Sequence, residues 1–256
     1  MGKMFQALKK AEKERAKLLK KAGENPAALD PGDGEIDPHL VTYFDRMSPI
    51  SEQYRTLRTN LKGIDSERPP RTFTVTSAIP REGKSISALN LALTFADDKQ
   101  SRVVVVDADL RKPSIHKLMT VDNQRGLSDF LAGNVMLELV LQRTRMANLS
   151  VIPAGRLSSN PSEMLSGSRM DDLLTRLSRD FNYVILDTPP VVSITDAAIV
   201  GPKTDGVLLV LKLGETPKPV AAQAVDLLEK ANARVLGTVL THLSPEMKDY
   251  YYYPYN

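Results

Sequence analysis

A lysine and a serine stand side by side behind a glycine in Ser77-Ala-Ile-Pro-Arg-Glu-Gly-Lys-Ser85. The run Thr72–Thr76 before them has strand composition, and Lys84–Ala96 after them has a helical pattern. Strand, loop and helix in that order are the setting of a phosphate-binding loop. Backbone N–H groups at the helix start point at phosphate oxygens, and the helix dipole favours their charge. Pro80, Arg81, Glu82, Gly83, Lys84, Ser85 and Ile86 are the predicted nucleotide contacts. Gly83 permits close backbone approach, Lys84 reaches the β- and γ-phosphates, and the Ser85 hydroxyl ligates Mg²⁺. Ala78 replaces the usual first glycine of such a loop.

Two further carboxylate sets complete a phosphoryl-transfer constellation. Four valines, Val103–Val106, end in Asp107-Ala-Asp109-Leu-Arg111. A second apolar strand, Tyr183–Leu186, ends in Asp187-Thr-Pro-Pro190. Ligands of open α/β sheets collect at the carboxyl ends of the strands, which is where these aspartates fall. Asp187 has the place of the carboxylate that holds Mg²⁺ in P-loop hydrolases. Asp107 is expected to face the metal as well. The implied chemistry is phosphoryl transfer from ATP with Mg²⁺, by positioning and charge neutralisation. Lys84, Asp107, Asp109 and Asp187 are the predicted catalytic groups, with Asp107 or Asp109 orienting or deprotonating the acceptor.

Those residues need strands beneath them. Candidate strands are Thr72–Thr76, Arg102–Val106, Leu149–Ile152, Tyr183–Leu186, Gly206–Leu211 and Arg234–Leu240. Helical stretches lie between them, among them Lys84–Ala96, Asp171–Ser178 and Pro219–Ala231. Several strands are unbroken apolar runs, as expected when both sheet faces are covered. The alternation predicts an α/β P-loop NTPase fold, a mostly parallel central sheet with helices on both faces.

The 256 residues suit one large domain with extensions. Four zones separate: a basic amphipathic helix at 1–22, a Gly/Pro-rich acidic linker at 23–48, the P-loop domain at 49–243, and a tail at 244–256. The basic arm is expected to dock on an anionic membrane face or a partner. The tail holds five of the eight tyrosines: Tyr250, Tyr251, Tyr252, Tyr253 and Tyr255. With no cysteine, disulfides and thiolate metal sites are excluded. No apolar run approaches a membrane span, and the N-terminus is too charged for a signal peptide. A net charge of +3 gives no expectation of nucleic-acid binding. The expected location is cytoplasmic, peripheral at the inner face of the membrane.

At these motifs the chain resembles the bacterial tyrosine kinases of capsular and exopolysaccharide synthesis, in their cytoplasmic catalytic domain. The resemblance spans most of residues 48–256. It rests on Pro80-x-x-Gly83-Lys84-Ser85, Asp107-x-Asp109-x-Arg111, Asp187-x-x-Pro190 and the tyrosine-rich tail. A further match is Glu52-x-x-Arg55-x-x-Arg58, whose spacing puts three charges on one helix face. The family usually has Gly at the position of Arg81, and Asn at that of Thr241. The resemblance implies that Arg111 and Thr241 touch the nucleotide, and that Glu52, Arg55 and Arg58 bridge to a neighbouring subunit in a ring. It implies trans autophosphorylation of the tail within that homo-oligomer, and a membrane polysaccharide co-polymerase as activator. Two alternatives stand beside it: a partitioning-type switch ATPase, whose signature lysine is replaced here by Ile79, and a non-catalytic ATP-dependent assembly adaptor.

Overall fold

A computed structural model describes residues 35–242. Seven strands form one sheet: β1 (Thr72–Ser77), β2 (Val103–Asp107), β3 (Gln142–Arg143), β4 (Leu149–Ile152), β5 (Tyr183–Asp187), β6 (Gly206–Lys212) and β7 (Val235–Thr241). Their order is β3-β4-β2-β5-β1-β6-β7. Every pair is parallel except β3 with β4. The six longer strands lie where the apolar runs place them. The two-residue β3 has no run of its own and is an antiparallel edge added to β4.

Side chains alternate across the sheet. Val103 and Val105 enter the core on one face, and Val104 and Val106 enter the core on the other. The helix Lys84–Ala96 covers the first face and the helix Ser168–Asp180 the second. Phe95 lies 4.0 Å from Tyr183, ring centre to ring centre, on that first face. The helix Lys218–Lys230 packs Ala224 and Leu228 against Val207 and Leu209 of β6.

The acidic, Gly/Pro-rich composition that predicts a linker up to residue 48 does not hold from residue 36 onward. Ile36 and Leu40 are buried in the core. Thr42 is anchored by a buried Asn90: its N–H donates to Asn90 Oδ1 at 3.0 Å, and its hydroxyl donates to the same oxygen at 2.8 Å. Two apolar side chains and one satisfied polar pair outweigh the ordering cost that composition suggests. Helix Pro49–Gly63 then starts at Ser48, whose side chain accepts from Ser51 N–H at 3.1 Å, with Pro49 at the first helical position. Residues 1–34 and 243–256, with the predicted basic arm and tyrosine tail, lie outside the described residues. Among the described residues no helix is long and apolar enough to cross a membrane.

The buried N-terminal segment has a measurable consequence. Leu40→Ala leaves a cavity against the P-loop helix and is expected to cost about 2–5 kcal/mol in chemical denaturation. A cost under ~0.5 kcal/mol, that of an ordinary surface substitution, would show the segment to be an unpacked linker.

Candidate functional site

β2, β5 and β1 lie side by side, so their carboxyl ends deliver three motifs to one point. Asp107 and Asp187 are register partners on adjacent strands. Gly83 opens the helix from a left-handed backbone, φ +88°. That turn carries Lys84 back over the strand ends. Its Nζ lies 3.0 Å from Asp109 Oδ2 and 3.3 Å from Asp187 Oδ1. Ser85 Oγ donates to Asp187 Oδ2 at 2.5 Å. The structure thus brings Lys84, Ser85, Asp109 and Asp187 into one cluster, as predicted.

Its electrostatics are lopsided. Asp107, Asp109 and Asp187 are all buried, against a single ammonium. Burial foremost, and then the Asp187 carboxylate facing it, push Asp107 up to about 8. Burial also raises Asp187, and Lys84 and the Ser85 hydroxyl offset this only in part. For Lys84, burial works against the charge, but Asp187 and Asp109 outweigh it and hold the ammonium above its ordinary value.

Those carboxylates in excess of cations fit an added divalent cation. Ser85 Oγ and Asp187 Oδ2 offer a pair of adjacent hard oxygens, the donor type Mg²⁺ prefers. Among the described residues no group of three acidic or imidazole side chains is placed to hold a metal ion by itself. Mg²⁺ does not require that, because phosphate oxygens and waters complete its shell. Asp107, predicted as a third ligand, is placed differently. Its Oδ2 accepts from the N–H groups of Ser114 (3.1 Å) and Ile115 (3.0 Å), and its Oδ1 from that of Asp109 (3.3 Å). Its visible work is to hold the 108–115 loop.

The phosphate loop is braced from below by Glu82. This buried carboxylate accepts from Ile79 N–H at 2.8 Å, from Lys212 N–H at 3.3 Å and from the Thr216 hydroxyl. Thr241, predicted as a nucleotide contact, is seen bracing the same loop. Its hydroxyl donates to the Glu82 carbonyl at 2.9 Å, and its methyl sits 3.4 Å from where a Cβ on Gly83 would lie. Arg81 is left-handed, φ +69°. That backbone costs a non-glycine residue roughly 1–2 kcal/mol. Pro80 and Arg81 are exposed at the loop's tip, and Ile86 sits in the first helical turn.

Other predicted residues have in-chain partners. Arg111 grips the buried Asp196, Nε to Oδ2 at 2.9 Å and Nη2 to Oδ1 at 3.2 Å, and also donates to Ser162 Oγ at 2.8 Å. This ties the β2 loop to two later segments rather than to the phosphate loop. Glu52 and Arg55 pair with each other at 2.6 Å, and Arg58 donates to the Thr94 carbonyl at 2.6 Å. Sequence reasoning misses Asp196, Ser162 and Thr216. Asp196 lies 85 positions from Arg111, and no spacing rule joins them.

This loop, its lysine and the two strand-end aspartates on a parallel sheet define a nucleotide-binding P-loop NTPase. A family profile described as ParA, NUBPL iron-transfer P-loop NTPase, matches residues 71–245, more than half of the chain. The chain is 37% identical over 202 residues to the tyrosine-protein kinase YwqD of Bacillus subtilis, covering 79% of this chain and 85% of that protein. Among solved structures, the kinase domain of the Escherichia coli tyrosine kinase ETK superposes with a TM-score of 0.75 at 32% identity, covering 85% of this chain and 84% of that one. The chimerical protein CapA2B2 gives 0.76 at 32% identity, covering 81% and 92%. The chain belongs to the bacterial tyrosine-kinase family of P-loop NTPases, and its activity is that of a protein-tyrosine kinase.

The Glu82 brace can be tested by a near-isosteric change. All three of its side-chain partners are donors, so only a carboxylate satisfies them, and the amide of Glu82→Gln turns an N–H₂ toward one. Calorimetric titration is expected to show ATP binding about tenfold weaker, the effect of one unmet buried group of about 1–3 kcal/mol. Unchanged affinity would show that the loop keeps its shape without the brace.

Proposed function

We propose that the chain is an ATP-dependent autokinase that phosphorylates its own C-terminal tyrosine cluster, in trans, within a ring-like homo-oligomer. Its role on this reading is to regulate capsule or exopolysaccharide synthesis or export. The observation that carries the reading is the Lys84 ammonium clasped between Asp109 and Asp187 above the phosphate loop. Loop N–H groups and Lys84 bind and orient the β- and γ-phosphates. Mg²⁺, held by Ser85 and Asp187, supplies further charge neutralisation there. The phenolic oxygen attacks the γ-phosphorus while the bond to the β–γ bridging oxygen breaks, and ADP leaves with that electron pair. The phenolic proton passes to Asp109 at the end of β2, because the other candidate there, Asp107, has both oxygens taken by backbone N–H groups.

Supporting the tail as acceptor, Tyr250, Tyr251, Tyr252, Tyr253 and Tyr255 follow closely on β7 in the sequence. Each added phosphate brings about −1.5 to −2 charge, which repels the carboxylate cluster and loosens the ring. Glu52 and Arg55 form the ring contact by exchanging their internal pair for partners on the next subunit, together with Arg58. The membrane activator on this reading is a polysaccharide co-polymerase. The basic arm at 1–22 holds the protein at the cytoplasmic face of the membrane, through that partner or anionic lipid. A switch ATPase is the second reading. It is favoured by the ParA, NUBPL iron-transfer P-loop NTPase profile over residues 71–245 and opposed by Ile79 in place of the signature lysine.

Mass spectrometry after incubation with ATP and Mg²⁺, beside Lys84→Met, separates these readings. The expected result is phosphate on Tyr250–Tyr255 in the wild type alone. ATP hydrolysis without tyrosine phosphate would favour the switch ATPase. Neither activity, with membranes added, would favour the assembly adaptor.

A further inference from the structure

A second charged cluster stands beside the aspartate site, and the phosphoryl-transfer chemistry does not use it. Two glycines bring two loops into backbone contact. A Cβ on Gly126 would lie 2.2 Å from Gly155 N, and one on Gly155 would lie 2.6 Å from Gly126 N. Arg125 precedes the first glycine and Arg156 follows the second. The crossing is rigidly held. Leu127 N–H donates to the Pro153 carbonyl at 2.7 Å, and Asn123 grips Gly155 from both sides at 2.9 and 3.2 Å. Asp129 Oδ2 accepts from Gly126 N–H at 3.0 Å.

Both arginines are exposed, and neither makes an ion pair or hydrogen bond among the described residues. The acid in the same segment, Asp122, accepts from Gln124 N–H at 3.1 Å and pairs with neither. Two like charges carried on adjoining loops repel each other, and an anion bound between them removes that cost. Two guanidinium groups can take a carboxylate or phosphate in fork geometry.

Its position says which anion. Lys84 points toward β5 and β2, while Glu82 and Thr241 close the β6 and β7 flank of the loop. A phosphate held by Lys84 would lie on the β2 side, and an acceptor would approach there. β4 is the next strand out, about 4.8 Å away, and the glycine crossing follows directly on its carboxyl end. The chain's own tail places Asp249 directly before Tyr250, and each tyrosine of the cluster has a tyrosine neighbour within two residues.

We propose that Arg125 and Arg156 form a clamp for an anionic group beside the acceptor tyrosine, an Asp or Glu carboxylate or the phosphate of a tyrosine already modified. The clamp sets acceptor specificity, and it rests on the tyrosine-kinase reading of the site next to it. It makes one phosphotyrosine in the cluster a binding determinant for the next.

The test uses the full chain and three labelled short tyrosine peptides, flanked by serine, by aspartate or by phosphotyrosine, with binding read by fluorescence anisotropy. The expected result is binding about five- to tenfold tighter for the anionic peptides than for the serine peptide, weakening with salt. In the Arg125→Ala/Arg156→Ala double variant that advantage disappears, while serine-peptide binding and ATP hydrolysis stay as in the wild type. The Arg125→Lys/Arg156→Lys variant keeps part of it. A gain for the phosphopeptide alone supports the clamp and assigns it to phosphate. Equal binding of all three peptides, or an advantage that survives in the double alanine variant, overturns it. Binding is read without transfer, so a chain that binds these peptides and phosphorylates none of them contradicts the kinase reading alone.

Discussion

The buried ammonium of Lys84 between Asp109 and Asp187 is the interaction on which the site depends. It joins the three neighbouring strands β1, β5 and β2 at their carboxyl ends. Without it three carboxylates would share a dry pocket with no counter-charge. The loss of one partner of a buried charge pair typically costs about 3–5 kcal/mol. The positive φ of Gly83 and the tight seat of Thr241 serve this placement, because they turn the chain back so that the lysine overhangs the strands.

Around that contact the polar groups sort into two kinds. Glu82, Asp107 and Asp196 have their oxygens filled by donors from the chain itself: backbone N–H groups, the Thr216 hydroxyl, or Arg111 with Ser162. They fix loops. Ser85, Asp109 and Asp187 gather around Lys84, although Asp109 also accepts from Lys112 N–H. Their oxygens are of the kind that suits a divalent cation. The division is compatible with an anionic nucleotide at a site with so much negative charge: a metal would offset the excess, and the loop N–H groups would meet the phosphates.

Much of this was legible in the sequence, for physical reasons. Unbroken valine runs such as Val103–Val106 announce strands covered on both faces, and the Gly-Lys-Ser loop needs a strand before it and a helix after it. Both signals are local. What stayed hidden depends on residues far apart in the chain. Nothing near Arg111 points to Asp196, its partner within the chain. Likewise nothing near Thr241 points to the Glu82 carbonyl, to which its hydroxyl donates. The stretch Ile36–Thr42 reads as linker because it continues a Gly/Pro-rich acidic segment, while Ile36, Leu40 and the Thr42–Asn90 pair do the packing.

The central claim is that the buried carboxylates outnumber their cations, so that one of them holds its proton through neutral pH. Carbon-13 NMR of aspartate-labelled, nucleotide-free protein measures this directly, with Asp107→Asn to assign the signal. Burial and Asp187 act together to raise Asp107, so its carboxyl should stay protonated below its folded midpoint and lose the proton only near pH 8. A midpoint in the ordinary carboxylate range, about 4, would contradict the account, because the cluster would then carry its full negative charge without a metal.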